Sequence, residues 1–323
     1  MSKPKAIVTR RWPAKVEAAL KEHFDIELNE TDQPMTAAEL QAAMQRADAL
    51  FPTVTDKITR EIQDVPGRTV RLIGNYGVGF NNIDVAAAKD LGLVVTNTPD
   101  VLTDATADLA MALMLAIARR VGEGERHVRN GEWTGWRPTH MQGTQVTGKT
   151  LGLVGLGRIG RAMAKKAHHG FEMPVIGYDP FPPDAVTCQS LGITLVDTAE
   201  EIFSTADFVS IHCPATPENY HLVNAERLAL MPEHAYLINT ARGDIVDEAA
   251  LLDTLQKGAI RGAGLDVFER EPALTEGLAA CDNAVLLPHL GSATRETREA
   301  MGMRVLANAK AFFAGEEPGD RVA

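Results

Sequence analysis

The chain has 323 residues, more than one hydrophobic core usually supports, so two domains of ordinary size are expected. Its hydrophobic fraction of 45% is that of a globular protein, and a formal charge of −11 sets up a field that repels nucleic acid and anionic membrane surfaces, excluding both as expected partners. Three cysteines, Cys188, Cys213 and Cys281, are too few and too scattered for a disulfide framework and point to a reducing, cytoplasmic setting.

The first twenty residues carry basic side chains but no continuous apolar stretch ending in a small-residue cleavage site, and they read as mature protein. Short aliphatic runs (AIVTR, DIELN, ALFPT, RLIGN, LVVTN) then alternate with amphipathic stretches at 13–22, 36–46, 56–63 and 82–90. That alternation predicts a parallel sheet covered by helices. Thr103 caps a Pro-free segment reaching Gly131, expected to be one long helix able to bridge two domains. Its apolar run at 109–118 is about half the length a bilayer requires, so a buried helix is expected there.

A second alternation begins at Lys149 with TLGLVGLG, VIGYD, ITLV, FVSIHC, AYLINT, GAGLDV and AVLLP. These runs lack strict period two, as strands buried on both faces do, and predict a doubly wound sheet. A last amphipathic helix, from Thr294 to about Phe313, is expected to return to the first domain. The expected domains are therefore 1–99 with 291–323, and 100–290.

Gly155-Leu156-Gly157-Arg158-Ile159-Gly160 fits G-x-G-x-x-G. The spacing alone is weak evidence, but it follows a strand, opens a helix, and is followed by an acidic residue, Asp179, at the end of the next strand. Glycines permit the tight turn, the helix start offers N–H groups to a pyrophosphate, and a carboxylate takes ribose hydroxyls. A carboxylate at the ribose also repels a 2′-phosphate, and the following Pro180-Phe181-Pro182-Pro183 offers no base to hold one. NAD rather than NADP is the expected cofactor, with Arg158 the nearest basic residue. The fold expected is α/β, two Rossmann-like domains with doubly wound parallel sheets.

Hydride transfer to a 2-keto acid requires a cation for the carboxylate and carbonyl, an acid for the developing alkoxide, and a partner for that acid. Arg242 follows the strand AYLINT, Glu271 follows GAGLDV, and His289 follows AVLLP, at the strand ends where such sheets place ligand-binding loops. Taken singly, each is more often a solvated loop residue, and spacing leaves open whether they meet.

The segments GVGFNNID, the glycine motif, HCPATPEN, LINTARGDIVDE, GAGLDVFEREP and PHLGSAT occur in the order of the D-isomer-specific 2-hydroxyacid dehydrogenase family, which the chain resembles over nearly its whole length. The resemblance implies an active site in the interdomain cleft, with His289 as acid/base, Glu271 favouring its protonated form, and Arg242 binding the substrate carboxylate. It implies that Val78 and Gly79 belong to a backbone carboxylate cradle, and that Asp266 contacts the nicotinamide carboxamide. By the same resemblance Thr106, Cys213, Pro214, Thr240 and Ala241 line the cofactor site. Adjacent His168 and His169 face different directions on their helix, H-E-x-x-H is missing, and no metal is expected.

Within the family, VTRRWP and NTPDVLTDATADLA look most like the glyoxylate/hydroxypyruvate reductase branch. There the segment after Gly131-Glu132-Trp133 reaches across a dimer, with His140 at a position the branch fills with an aromatic residue. A homodimer acting on a small 2-keto or 2-hydroxy acid is expected. The alternatives are a D-3-phosphoglycerate or other D-2-hydroxyacid dehydrogenase, or a non-enzymatic NAD-sensing module similar to the C-terminal-binding-protein corepressors.

Overall fold

A computed structural model describes residues 3–323. In chain order its elements are β1 (Lys5–Val8), α1 (Ala14–His23), β2 (Asp25–Leu28), α2 (Ala37–Arg46), β3 (Ala49–Phe51), α3 (Arg60–Gln63), β4 (Leu72–Gly74), α4 (Val85–Asp90) and β5 (Val94–Thr96). Then follow α5 (Thr103–Ala118), α6 (Val121–Arg129), β6 (Leu151–Val154), α7 (Arg158–Phe171), β7 (Val175–Tyr178), α8 (Ala185–Ser190), β8 (Ile193–Leu195), α9 (Ala199–Thr205) and β9 (Phe208–Ile211). The last are α10 (Ala225–Leu230), β10 (Tyr236–Asn239), α11 (Glu248–Gln256), β11 (Gly262–Leu265), β12 (Ala284–Leu286) and α12 (Arg295–Phe313).

These elements form two compact units, one of residues up to Leu102 together with Ser292–Ala323, the other Thr103–Gly291. The first holds a parallel five-stranded sheet in the order β2-β1-β3-β4-β5. Ile7, Leu50 and Ile73, one from each of three neighbouring strands, are buried against Leu40 and Met44 of α2. Each such side chain contributes about 1.5–3 kcal/mol on burial. Helix α2 starts in a capping box, Thr36 accepting from Glu39 N–H while the Glu39 carboxylate accepts from Thr36 N–H.

The second unit holds a parallel seven-stranded sheet in the order β12-β11-β10-β9-β6-β7-β8. Every residue of β6, β9, β10 and β11 is buried, which is why these strands read as continuous apolar runs rather than as alternation. Chain order reverses between β6 and β9, and such a switch point opens a crevice at the strands' carboxyl ends.

The long helix expected from Thr103 to Gly131 is two helices. Arg120 takes a left-handed conformation, φ 54°, and the chain restarts as α6. The break has a partner far along the chain: Thr144 N–H donates to the Ala118 carbonyl at 2.8 Å, and the Arg120 guanidinium turns back onto Glu123. No helix among the described residues is long and apolar enough to cross a membrane.

Candidate active site

The glycine turn is shaped by contact with the neighbouring strand end. Gly155 sits at φ 97°, and a Cβ there would stand 2.5 Å from Cys213 N, so only glycine lets the turn lie against the residues leaving β9. Gly157 opens α7 with no side-chain cap, and a Cβ on it would meet nothing within 4 Å. The uncapped helix start therefore faces open space, as an anion site requires. Arg158 is exposed, Ile159 half-buried and Gly160 buried at the start of this helix. Asp179 ends the next strand and ties the turn together, its Oδ2 accepting from Leu156 N–H (2.7 Å) and its Oδ1 from Phe181 N–H (2.8 Å).

His289 is held by three interactions. Its backbone has φ 56°, rare for a residue with a side chain, and its N–H donates to the Asp266 carbonyl at 2.9 Å. The Asp266 side chain, fully buried, accepts from Leu290 N–H (2.6 Å) and Gly291 N–H (2.7 Å). Burial raises its pKa although those two N–H groups pull the other way. Finally, His289 Nδ1 lies 2.8 Å from Glu271 Oε2, while Glu271 Oε1 accepts from Phe268 N–H at 3.0 Å. Burial acts to raise the pKa of Glu271, but the hydrogen bond and charge of His289 outweigh it, with a smaller contribution from Arg242, and the net shift is downward. An ionised Glu271 fixes a proton on Nδ1 and leaves Nε2 as the nitrogen that exchanges one.

Arg242 stands at the turn after β10. Buried Asn239 shapes that turn, its Nδ2 donating to the Arg242 carbonyl (2.9 Å) and its Oδ1 accepting from Ala241 N–H (3.0 Å). Arg242 Nη1 donates to the Ala241 carbonyl at 2.7 Å. Burial lowers the pKa of the guanidinium, and the charges of Glu271 and Asp244 oppose that. Beside it, Thr240 Oγ1 is buried with no hydrogen-bond partner among the described residues.

In the first unit, the loop 77–80 follows β4, and its carbonyls are all taken. Buried Asn75 donates through Nδ2 to the carbonyls of Gly79 (2.9 Å) and Gly77 (3.3 Å), and Asn97 Nδ2 donates to that of Val78 (2.8 Å). The N–H groups of Val78 and Gly79 have no partner among the described residues. With carbonyls held back and N–H groups free, the loop offers an anion nest.

Buried Thr106 donates its hydroxyl to the Gly291 carbonyl at 3.2 Å and so braces the loop after His289. The Cys213 thiol is pushed up to about 12 by burial, which removes it as a nucleophile, and Pro214 next to it is exposed. His140 lies 5.1 Å, ring to ring, from His127. Among the described residues no cluster of His, Cys, Asp or Glu could hold a metal ion. Sequence reasoning passed over Asn75, Asn97 and Asn239. The available signal was an amide side chain directly at the end of each of three buried strands, where apolar residues are expected.

Comparison with known proteins finds relatives over nearly the whole chain. The NAD-binding domain of the D-isomer specific 2-hydroxyacid dehydrogenases matches residues 111–291. A glyoxylate reductase of Thermococcus litoralis is 44% identical over 99% of this chain and 97% of its own. A D-isomer specific 2-hydroxyacid dehydrogenase from Polaromonas, described as putative, superposes with a TM-score of 0.92 at 37% identity, covering 99% of this chain and 100% of that one. An NADPH-dependent glyoxylate/hydroxypyruvate reductase from Sinorhizobium meliloti, solved with NADP and malonate, gives 0.89 at 35% identity, covering 100% and 97%.

Proposed function

The chain belongs to the D-isomer specific 2-hydroxyacid dehydrogenase family, oxidoreductases that pass hydride between NAD(H) and a 2-hydroxy or 2-keto acid, and from that premise we propose that it reduces glyoxylate. The observation that carries the reading is the 2.8 Å pair of His289 Nδ1 and Glu271 Oε2 on a backbone held at positive φ. His289 Nε2 donates the proton that the substrate 2-oxygen acquires, a contribution of about 10²–10⁴ in rate for a positioned acid. Arg242 pairs with the substrate carboxylate and polarises the carbonyl. Within the first unit, the N–H groups of Val78 and Gly79 offer a nest for a carboxylate.

The residues present fit a dinucleotide. Gly155, Gly157, Arg158, Ile159 and Gly160 would hold its pyrophosphate on the uncapped start of α7, and Asp179 its ribose. The unpartnered Thr240 hydroxyl, with Ala241, Cys213, Pro214, Asp266 and Thr106, would line the nicotinamide end. When bound, NADH supplies the hydride. A panel of glyoxylate, hydroxypyruvate, pyruvate and larger 2-keto acids with NADH and NADPH tests the reading. It expects glyoxylate and NADH to give the highest kcat/KM, and the absence of turnover with every keto acid overturns it.

A homodimer and a cytoplasmic setting complete the proposal. Helix α6 buries none of its residues, and Trp133 and Trp136 beyond it are 55% and 81% exposed, an apolar surface that a second copy would cover. All three cysteines are free thiols, as a reducing compartment maintains them. A monomeric mass in sedimentation at micromolar concentration contradicts the dimer.

A further inference from the structure

Glu248, the first residue of α11, is a carboxylate only 3% exposed, and no arginine or lysine pairs with it among the described residues. Its two oxygens go to the two ends of one loop. Oε1 accepts from Glu269 N–H at 2.6 Å, and Oε2 accepts from the Thr275 hydroxyl at 2.7 Å. Between those ends residues 271–274 are exposed, and among them stands Glu271. The positive end of α11 offsets the buried charge. The other titratable side chains near the clamp are Glu269, Asp247 and His221, with His221 Nε2 3.6 Å from Glu269 Oε1 and Nδ1 3.9 Å from Asp247 Oδ2.

We propose that Glu248 is a positioning residue for the reaction: by tying both ends of the loop it fixes the Glu271 carboxylate at hydrogen-bond distance from His289. The inference rests on the acid/base reading above. Burying a carboxylate costs free energy, and these two bonds are what it accomplishes here. Apart from them, the Ala273 N–H to Arg270 carbonyl bond of 2.9 Å and the Phe268 N–H to Glu271 Oε1 bond of 3.0 Å hold the loop, both within residues 268–273.

The test uses the full-length enzyme with NADH and glyoxylate, and compares Glu248→Ala, Glu248→Gln, Thr275→Val and Glu271→Gln for kcat, KM, NADH affinity, thermal melting and the pH at which reduction declines. Glu248→Ala should lower kcat about 10- to 100-fold, as misplacement of a catalytic group by an ångström does, and move the decline to lower pH toward that of Glu271→Gln. NADH affinity should hold. Glu248→Gln can accept from Glu269 N–H and donate to the Thr275 hydroxyl, so it should restore most of kcat and the wild-type pH profile. Thr275→Val should shift the profile in the same direction by less.

A folded Glu248→Ala enzyme with the wild-type profile, while that of Glu271→Gln moves, overturns the inference alone. If Glu248→Ala fails to fold, a wild-type profile in Thr275→Val overturns it, as does a stable Glu248→Gln no better than alanine. If Glu271→Gln itself leaves the profile in place, the acid/base reading fails and this inference falls with it.

Discussion

Gly243 and Phe268 meet through backbone alone: a Cβ built on Gly243 would stand 1.8 Å from the Phe268 carbonyl carbon and 2.3 Å from Glu269 N. The turn that carries Arg242 and the turn that carries Glu271 are thus in direct van der Waals contact, so neither can shift without the other. Gly243→Ala should therefore destabilise the protein by about 1–3 kcal/mol through overpacking and displace both side chains together. Melting temperature and kcat should fall in the same variant. Full activity in Gly243→Ala would show that the two turns move independently.

Asp179 has a double task, because the carboxylate proposed to take the ribose already accepts from Leu156 N–H inside the glycine turn. Asp179→Ser should weaken NADH binding and raise the ratio of NADPH to NADH use about tenfold, the weight of one hydrogen bond to a charged group. Steady-state kcat/KM with both cofactors measures it. An unchanged ratio would place the ribose elsewhere.

Asn75 and Asn97 between them occupy the carbonyls of Gly77, Val78 and Gly79. Asn75→Ala leaves the Gly79 carbonyl without a donor among the described residues, while the Gly77 carbonyl keeps Thr98 N–H at 3.1 Å, and releases the loop. KM for glyoxylate should rise about tenfold, from the ~1–3 kcal/mol that an unsatisfied buried polar group costs, with NADH affinity unchanged. Isothermal titration with NADH and saturation curves in glyoxylate separate the two effects, and a loss confined to NADH affinity would contradict the proposed carboxylate nest.

Both sheets and the glycine turn were legible in the chain because local chemistry sets them. Buried parallel strands need unbroken apolar runs, and a turn lying against Cys213 N needs glycine. Arg242, Glu271 and His289 were legible as strand-end residues, but their meeting was not, since it depends on which strands neighbour one another. The helix break at Arg120 was hidden because the donor that takes the Ala118 carbonyl is Thr144, outside the helical pattern. Glu248 was hidden for a different reason: an acid at a helix start is unremarkable by itself, and its partners Glu269 and Thr275 lie beyond the next strand.

Proton donation by His289 rests on its pairing with Glu271, Nδ1 to Oε2 at 2.8 Å. Glu271 titrates below the ordinary carboxylate value, so the pair and the stability it contributes persist above 4.5 and are lost as pH falls through the depressed value. On the alkaline side, reduction needs a proton from His289, and the Glu271 carboxylate 2.8 Å from its Nδ1 is the charge that a glutamine removes. The direct measurement is the pH dependence of single-turnover NADH oxidation by glyoxylate, in wild type and Glu271→Gln, with a deuteride isotope effect to show that hydride transfer is being timed. The glutamine variant should decline at distinctly lower pH while its isotope effect is retained. Superimposable profiles, with the isotope effect expressed in both enzymes, would contradict it.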